Sequence, residues 1–104
     1  MNYSETTLRK HRRLAILRYL AECQGFTANA SILTDVMNDF GVTSTRSQVT
    51  TELAWLCENG FVTQRPAGAD LIVATATVRG GEIASGHATH PEIQRPRPGQ
   101  RLGG

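Results

Sequence analysis

The chain has 104 residues and a formal net charge of +2, with 39% hydrophobic, 19% charged and 6% aromatic residues. This length predicts one compact domain with a modest core, and it leaves little room for a substrate pocket and a rigid scaffold around it. No run approaches the roughly 20 apolar residues of a bilayer-spanning helix, and the polar first residues lack the apolar segment of a signal peptide. We therefore expect a cytoplasmic protein that is not an enzyme.

The charge is distributed unevenly along the chain. Residues 1–18 carry five cations against one acid, residues 19–86 three cations against seven acids, and residues 87–104 three cations against one acid. Ten of the eleven cations are arginine, whose planar guanidinium suits bidentate contact with phosphate. The basic ends favour DNA as a partner, whereas the acidic middle favours a protein.

Three helical patterns fill the first sixty residues. The first runs from Thr7 to Cys23, and the second has its apolar residues between Ile32 and Phe40, with Thr27 and Asn29 as candidate caps. The third spans residues 45–59, where Thr45 and Gln48 have the spacing of a capping box. Its inward-facing residues are predicted to be Val49, Leu53 and Leu56.

After Gly60 the pattern changes to β-prone runs over residues 61–65 and 71–77, separated by a glycine-containing loop, which predicts a hairpin. A short helix is expected over residues 79–85, although two adjacent glycines weaken its start. We expect residues 1–86 to form the domain. Residues 87–104, rich in proline and arginine, are expected to form an extended C-terminal tail that could also engage a protein partner.

This order of helices followed by a hairpin is that of a winged helix-turn-helix domain, so the expected fold class is mainly α with a small β-hairpin, that is, α+β. Residues Thr51–Val62 resemble the end of the recognition helix and the first wing strand in small winged-helix regulators of the ArsR, MarR and PadR kinds. Residues Ala76–Ala84 are similar to the segment that follows the second wing strand in those proteins. The resemblance covers residues 8–86 and implies a DNA-binding transcriptional regulator.

A more specific resemblance is to an ArsR-like family encoded in Mu-like phages and prophages, carried by Ala28–Leu33, Thr51–Leu56 and the late Arg95-Pro96. It implies a phage or prophage protein that acts in the cytoplasm of a bacterial host cell. The metal sensing of ArsR regulators does not carry over, because the chain has no Cys-x-Cys or Cys-x-x-Cys pair. We expect no metal and no cofactor, and free, buried thiols at Cys23 and Cys57.

If the domain binds double-stranded DNA, the helix of residues 45–59 is expected in the major groove and the wing of residues 61–77 on the flanking backbone. Arg46 can pair with guanine or a phosphate, and Gln48 can pair bidentately with adenine. Further phosphate contacts are expected from cations in the first helix and the wing. The predicted DNA-binding residues are Arg46, Ser47, Gln48, Thr50, Thr51, Arg65, Arg9, Lys10 and Arg13.

Two alternatives stay open. Glu52 and Glu58 would repel the DNA backbone if they faced it, which would leave the third helix as a solvated or protein-binding face and the protein as an adaptor in phage assembly or host-factor binding. The basic N-terminal residues could equally be a solvated surface. Regulators of the resembled kinds dimerise through their first and last helices, so we expect a homodimer with contacts from Leu8, Leu17 and Ile83.

Overall fold

The computed structural model describes residues 3–68 and 70–97. Within these residues, four helices and three strands follow one another, with a 3-10 turn at Gln24–Phe26 before the first strand. The elements are α1 (Tyr3–Glu22), β1 (Thr27–Asn29), α2 (Ala30–Asp39), α3 (Arg46–Glu58), β2 (Val62–Pro66), β3 (Ile72–Ala76) and α4 (Val78–Ser85).

The strands form an antiparallel three-stranded sheet in the order β1-β3-β2. The predicted hairpin is β2 with β3, in which Val62 pairs with Ala76 and Pro66 with Ile72. The sequence pattern missed β1, whose Thr27 pairs with Thr75 and shares a hydrogen bond of 2.8 Å between the two hydroxyls. The protein is therefore α+β, and its sheet is one strand larger than expected.

Of the two candidate caps of α2, Asn29 is confirmed, whereas Thr27 lies in β1; the predicted capping box of α3 is confirmed. Asn29 accepts a hydrogen bond of 2.8 Å from the backbone N–H of Ile32, and Thr45 and Gln48 form a complete capping box. The turn between the two helices is held by Asn38, whose side-chain amide donates to the carbonyl of Ser44 and accepts from its N–H. These local bonds set the orientation of α3 relative to α2.

Helix α4 begins at Val78 and includes both glycines. A Cβ atom at Gly80 would collide with the carbonyl oxygen of Phe61, whereas one at Gly81 would have open space around it. Glycine at the first of these positions is what allows α4 to approach the start of the hairpin closely.

The core is centred on α1, which contacts α2, α3, α4 and β3. Leu17 is fully buried and Ile83 is 3% exposed, so the prediction that they form dimer contacts is wrong: both side chains are enclosed within a single chain. Leu8 stays half-buried. The buried apolar residues of the helices, the strands and the turn between α3 and β2 are Leu14, Ile16, Leu17, Leu20, Ala30, Leu33, Met37, Val49, Leu53, Leu56, Phe61, Val62, Ala74, Ile83 and Ala84.

Residues 87–97 fold back onto the helices instead of extending away from them. Ile93 is 3% exposed, and the N–H of Gln94 donates to the carbonyl of Lys10 at 3.2 Å. A Cβ atom at Gly86 would lie 3.3 Å from Cγ of Pro96, so the two ends of the segment meet, as in an Ω-loop. The rest of the expected tail, residues 98–104, lies outside the described residues.

Candidate nucleic-acid interface

The outward face of α3 is a polar strip. Its inward residues are Val49, Leu53 and Leu56, as predicted, together with Glu52. Because Glu52 points inward and is 1% exposed, the solvent-facing side of the helix carries no acid before Glu58 in its last turn. The residues of this outward strip are Arg46, Ser47, Thr50, Thr51 and Ala54.

The start of α3 lies beside the loop of the β2–β3 hairpin. The guanidinium of Arg46 donates to the carbonyl of Asp70 at 3.3 Å, and Asp70 adopts a left-handed backbone with φ of 60°. Arg65, on β2, is exposed. The structure thus brings the outward strip and the hairpin together on one side of the domain, with exposed cations on both.

Gln48 is less available than predicted. Its side-chain oxygen accepts the N–H of Thr45 at 2.9 Å, which completes the capping box. Bidentate pairing with adenine uses both the oxygen and the amide nitrogen, so in such a contact the oxygen of Gln48 would have to accept from Thr45 and from the base together. The hydroxyl of Thr50 donates to the carbonyl of Ser47 at 3.0 Å but keeps its acceptor capacity.

A buried ion-pair network joins α1 to the inner side of α3. The carboxylate of Glu52 accepts from Nε of Arg9 at 2.8 Å and from Nε of Arg13 at 2.7 Å. Arg13 is 4% exposed and also donates to the carbonyl of Glu92 at 2.7 Å. The predicted phosphate contact of Arg13 is therefore wrong, because its guanidinium is enclosed and neutralised. Arg9 is half-buried in the same network, and Lys10 is half-buried beside it.

The network continues into an aromatic cluster that holds the C-terminal segment. Arg13 stacks 4.0 Å from the ring centre of Trp55, and His90 lies edge-on to Trp55 and to Phe61 at 5.2 and 5.7 Å. Trp55 thus packs against Arg13 of α1 and against His90 in residues 87–97. Sequence reasoning missed this cluster, since its members are up to 77 positions apart and share no periodicity.

The cysteines and histidines do not converge. Cys23 is half-buried and Cys57 is exposed on α3, so the expectation of a buried thiol is wrong for Cys57. His87 contacts Ser85 at 2.6 Å, whereas His90 lies in the aromatic cluster. Within residues 3–68 and 70–97, no three His, Cys, Asp or Glu side chains are grouped so that they could hold a metal ion.

These features define a small α+β protein with an exposed polar helix beside a hairpin. None of the helices among the described residues is long and apolar enough to cross a membrane. No family model matches the sequence. The chain is 38% identical over 91 residues to the uncharacterized protein gp26 of Escherichia phage Mu, which covers 88% of this chain and 93% of that protein. It is 35% identical over 79 residues to an uncharacterized protein of Haemophilus influenzae, which covers 76% of each.

The chain therefore belongs to the family of phage Mu gp26. The similarity to a phage Mu protein is consistent with the resemblance to proteins of Mu-like phages described above. Neither relative's name states an activity, so ArsR-like regulation stays a prediction.

Proposed function

We propose that the protein is a winged helix-turn-helix protein that binds double-stranded DNA through α3 and regulates transcription for a phage or prophage in the host cytoplasm. The observation that carries this proposal is the outward strip of α3, which is polar, begins with an exposed arginine and has no acid before Glu58, because Glu52 is turned inward. Burial of Glu52 removes one of the two carboxylates that argued against DNA on this face.

The arrangement of the elements supports the same proposal. A winged helix presents one helix to the major groove and a hairpin to the neighbouring backbone, and here the helix start and the hairpin loop are linked by the Arg46–Asp70 hydrogen bond. In this pose Arg46 would contact guanine or a phosphate, and the hydroxyls of Ser47 and Thr51 would contact phosphates.

The number of cations that can contact phosphates determines how steeply DNA affinity falls with salt concentration. Arg13 is neutralised by Glu52 and Arg9 shares that partner, so the phosphate contacts fall mainly to Arg46, Arg65 and Lys10. About three neutralised phosphates give a slope of about −3 for the logarithm of affinity against the logarithm of salt concentration. A much steeper slope would mean that further cations, such as those after residue 94, contact DNA.

Selection from a random duplex library with the purified chain, followed by sequencing, tests the proposal. We expect an enriched motif whose binding is reduced at least about tenfold by Arg46→Ala, because a bidentate base or phosphate contact is worth about 1–3 kcal/mol. Arg79→Ala removes an exposed arginine on α4 and serves as the control, with binding close to that of the wild type. An absence of enrichment, or equal loss in both variants, contradicts the proposal.

A protein-binding adaptor is the second candidate function. Residues 19–45 carry three acids and no lysine or arginine, and they include the exposed apolar side chains of Phe26, Ile32 and Phe40. Such a surface repels DNA and suits a protein. We also propose a homodimer. Its interface would have to be formed by residues other than Leu17 and Ile83, because these two are buried within one chain.

A further inference from the structure

Residues 87–97 lie on the side of α3 opposite the β2–β3 hairpin. Arg46 contacts the hairpin loop at Asp70, whereas Trp55 contacts His90 of the C-terminal segment. These two residues of α3 are nine positions apart, which is about two and a half helical turns, so their side chains point to opposite sides of the helix. The outward strip therefore has the hairpin along one side and residues 87–97 along the other.

The end of this segment is fixed to the helices. Ile93 is 3% exposed, and the N–H of Gln94 donates to the carbonyl of Lys10 on α1 at 3.2 Å. Pro96, whose ring restricts φ, lies beside Gly86, the C-cap of α4. The backbone of this stretch is therefore held at several points, and the side chains that it carries start from fixed positions.

Three cations are brought together on α1 and on the fixed stretch. Lys10 is bonded through its carbonyl to Gln94, so it lies next to Arg95. Arg97 follows two positions later, and both arginines are exposed. The ion pairs among the described residues include none of these three cations. Their charges are thus open to an anionic partner.

A phosphate backbone suits this arrangement. The acid of the segment, Glu92, lies 4.0 Å from Arg13, and one carboxylate against three cations leaves the surface net positive. Fixed cations attract DNA, because each phosphate that they neutralise releases a condensed counter-ion, and a guanidinium fits a phosphate with two hydrogen bonds. Since the stretch is already held on the helices, DNA binding does not have to order a flexible tail, which lowers the entropic cost.

We propose that Lys10, Arg95 and Arg97 contact the DNA phosphate backbone on the side of α3 opposite the hairpin, so that phosphates are bound on both sides of the outward strip. The inference rests on the proposed function, since it places the same duplex on α3. Contacts to phosphates position a protein on DNA without reading its sequence. Residues 87–97 would therefore add affinity for every duplex, whereas Arg46 would add preference for one sequence.

The affinity of the full chain for a random-sequence DNA duplex, measured at several salt concentrations, tests this inference. Affinity is the suitable measurement because the contacts are made by the ends of long side chains. Arg46, Arg65 and Lys10 alone account for a slope of about −3, and two further arginines should steepen it to about −4.5. The double variant Arg95→Ala/Arg97→Ala should return the slope to about −3 and weaken binding at least about tenfold at about 100 mM salt.

Control variants separate a local contact from the effect of net charge. Arg97→Ala and Arg79→Ala each remove one exposed arginine, but only the first should make the slope shallower, by about 0.9. Arg95→Lys/Arg97→Lys should keep the slope, because lysine also neutralises a phosphate. Ile93→Ala leaves every charge in place and should weaken binding about threefold, since the released stretch has to be ordered on the DNA. Circular dichroism checks that each variant is folded.

Several results would overturn the inference. An unchanged slope in Arg95→Ala/Arg97→Ala, or equal changes in Arg97→Ala and Arg79→Ala, would show that residues 95 and 97 make no local contact. Unchanged affinity in folded Ile93→Ala would make the arginines a loose tail. Tighter binding to phosphatidylglycerol vesicles than to the duplex would assign these cations to a lipid surface. In each case the effect of Arg46→Ala on the selected motif would remain, whereas its absence would show that the proposed function itself fails.

Discussion

Replacing Glu52 by glutamine should destabilise the protein strongly, because this carboxylate is the shared counter-ion of Arg9 and Arg13. The substitution keeps the shape of the side chain, but it removes the charge and turns one acceptor oxygen into a donor that faces a guanidinium. Glu52 is 1% exposed, and the side chain of Arg13 is 5% exposed, so neither charge can be solvated without moving α1 or α3. The side chain of Arg9 is 29% exposed and can turn toward water.

Breaking a buried ion pair by removing one partner costs about 3–5 kcal/mol. We expect the lower end, about 3 kcal/mol, because water can solvate Arg9 and the glutamine oxygen still accepts one hydrogen bond. With about 4–8 °C per kcal/mol in a domain of this size, the melting temperature should fall by about 12–24 °C.

Urea unfolding followed by circular dichroism measures this loss. Glu58→Gln removes an exposed carboxylate from the same helix and should change stability by no more than about 0.5 kcal/mol. A loss below about 1 kcal/mol for Glu52→Gln, with an unchanged dependence on urea, would refute the view that this ion pair holds α1 to α3.

Four further substitutions test the fold by the same unfolding assay. Gly80→Ala should lower the free energy of unfolding by about 3 kcal/mol, because its Cβ would collide with the carbonyl of Phe61. Gly81→Ala should raise it by up to about 1 kcal/mol through higher helix propensity. Equal effects of the two substitutions would contradict the close approach of α4 to Phe61. Ile93→Ala should cost about 2–3 kcal/mol and increase amide exchange in residues 87–97, and no change would mean that the segment is not anchored there. Thr45→Ala should cost about 1 kcal/mol by removing the cap of α3, and no loss would show that the capping box contributes nothing.

The elements that were predicted well are those specified by nearby residues. Helices α2 and α3 have apolar periodicity, caps and stops within a few positions of one another, and both capping interactions form as expected. Strand β1 has three residues, and its residues pair with residues of β3 that are 44 to 48 positions away in the sequence. No local sequence pattern therefore predicts this strand. The same holds for residues 87–97, which are held by Ile93, by the packing of His90 on Trp55 and Phe61, and by a few hydrogen bonds.

The candidate interface was predicted in part. Helical phase alone separates the outward strip of α3 from its inward residues, so Arg46, Ser47 and Thr51 lie where expected. The phase of a helix does not show which charged side chains form ion pairs. Glu52 pairs with Arg13 and Arg9, which are 39 and 43 positions away in the sequence, and this pairing buries Arg13. Which charged side chains form ion pairs depends on how the helices pack against one another. The sequence pattern does not predict this packing.

The most direct test of DNA binding through α3 is an NMR titration of the labelled chain with a random-sequence DNA duplex. Our account predicts that shifts concentrate in residues 46–54 and in the described residues of the loop between β2 and β3, and that added salt reverses them. Shifts confined to residues 24–40, or no shifts at low salt, would contradict the account and favour a protein-binding role.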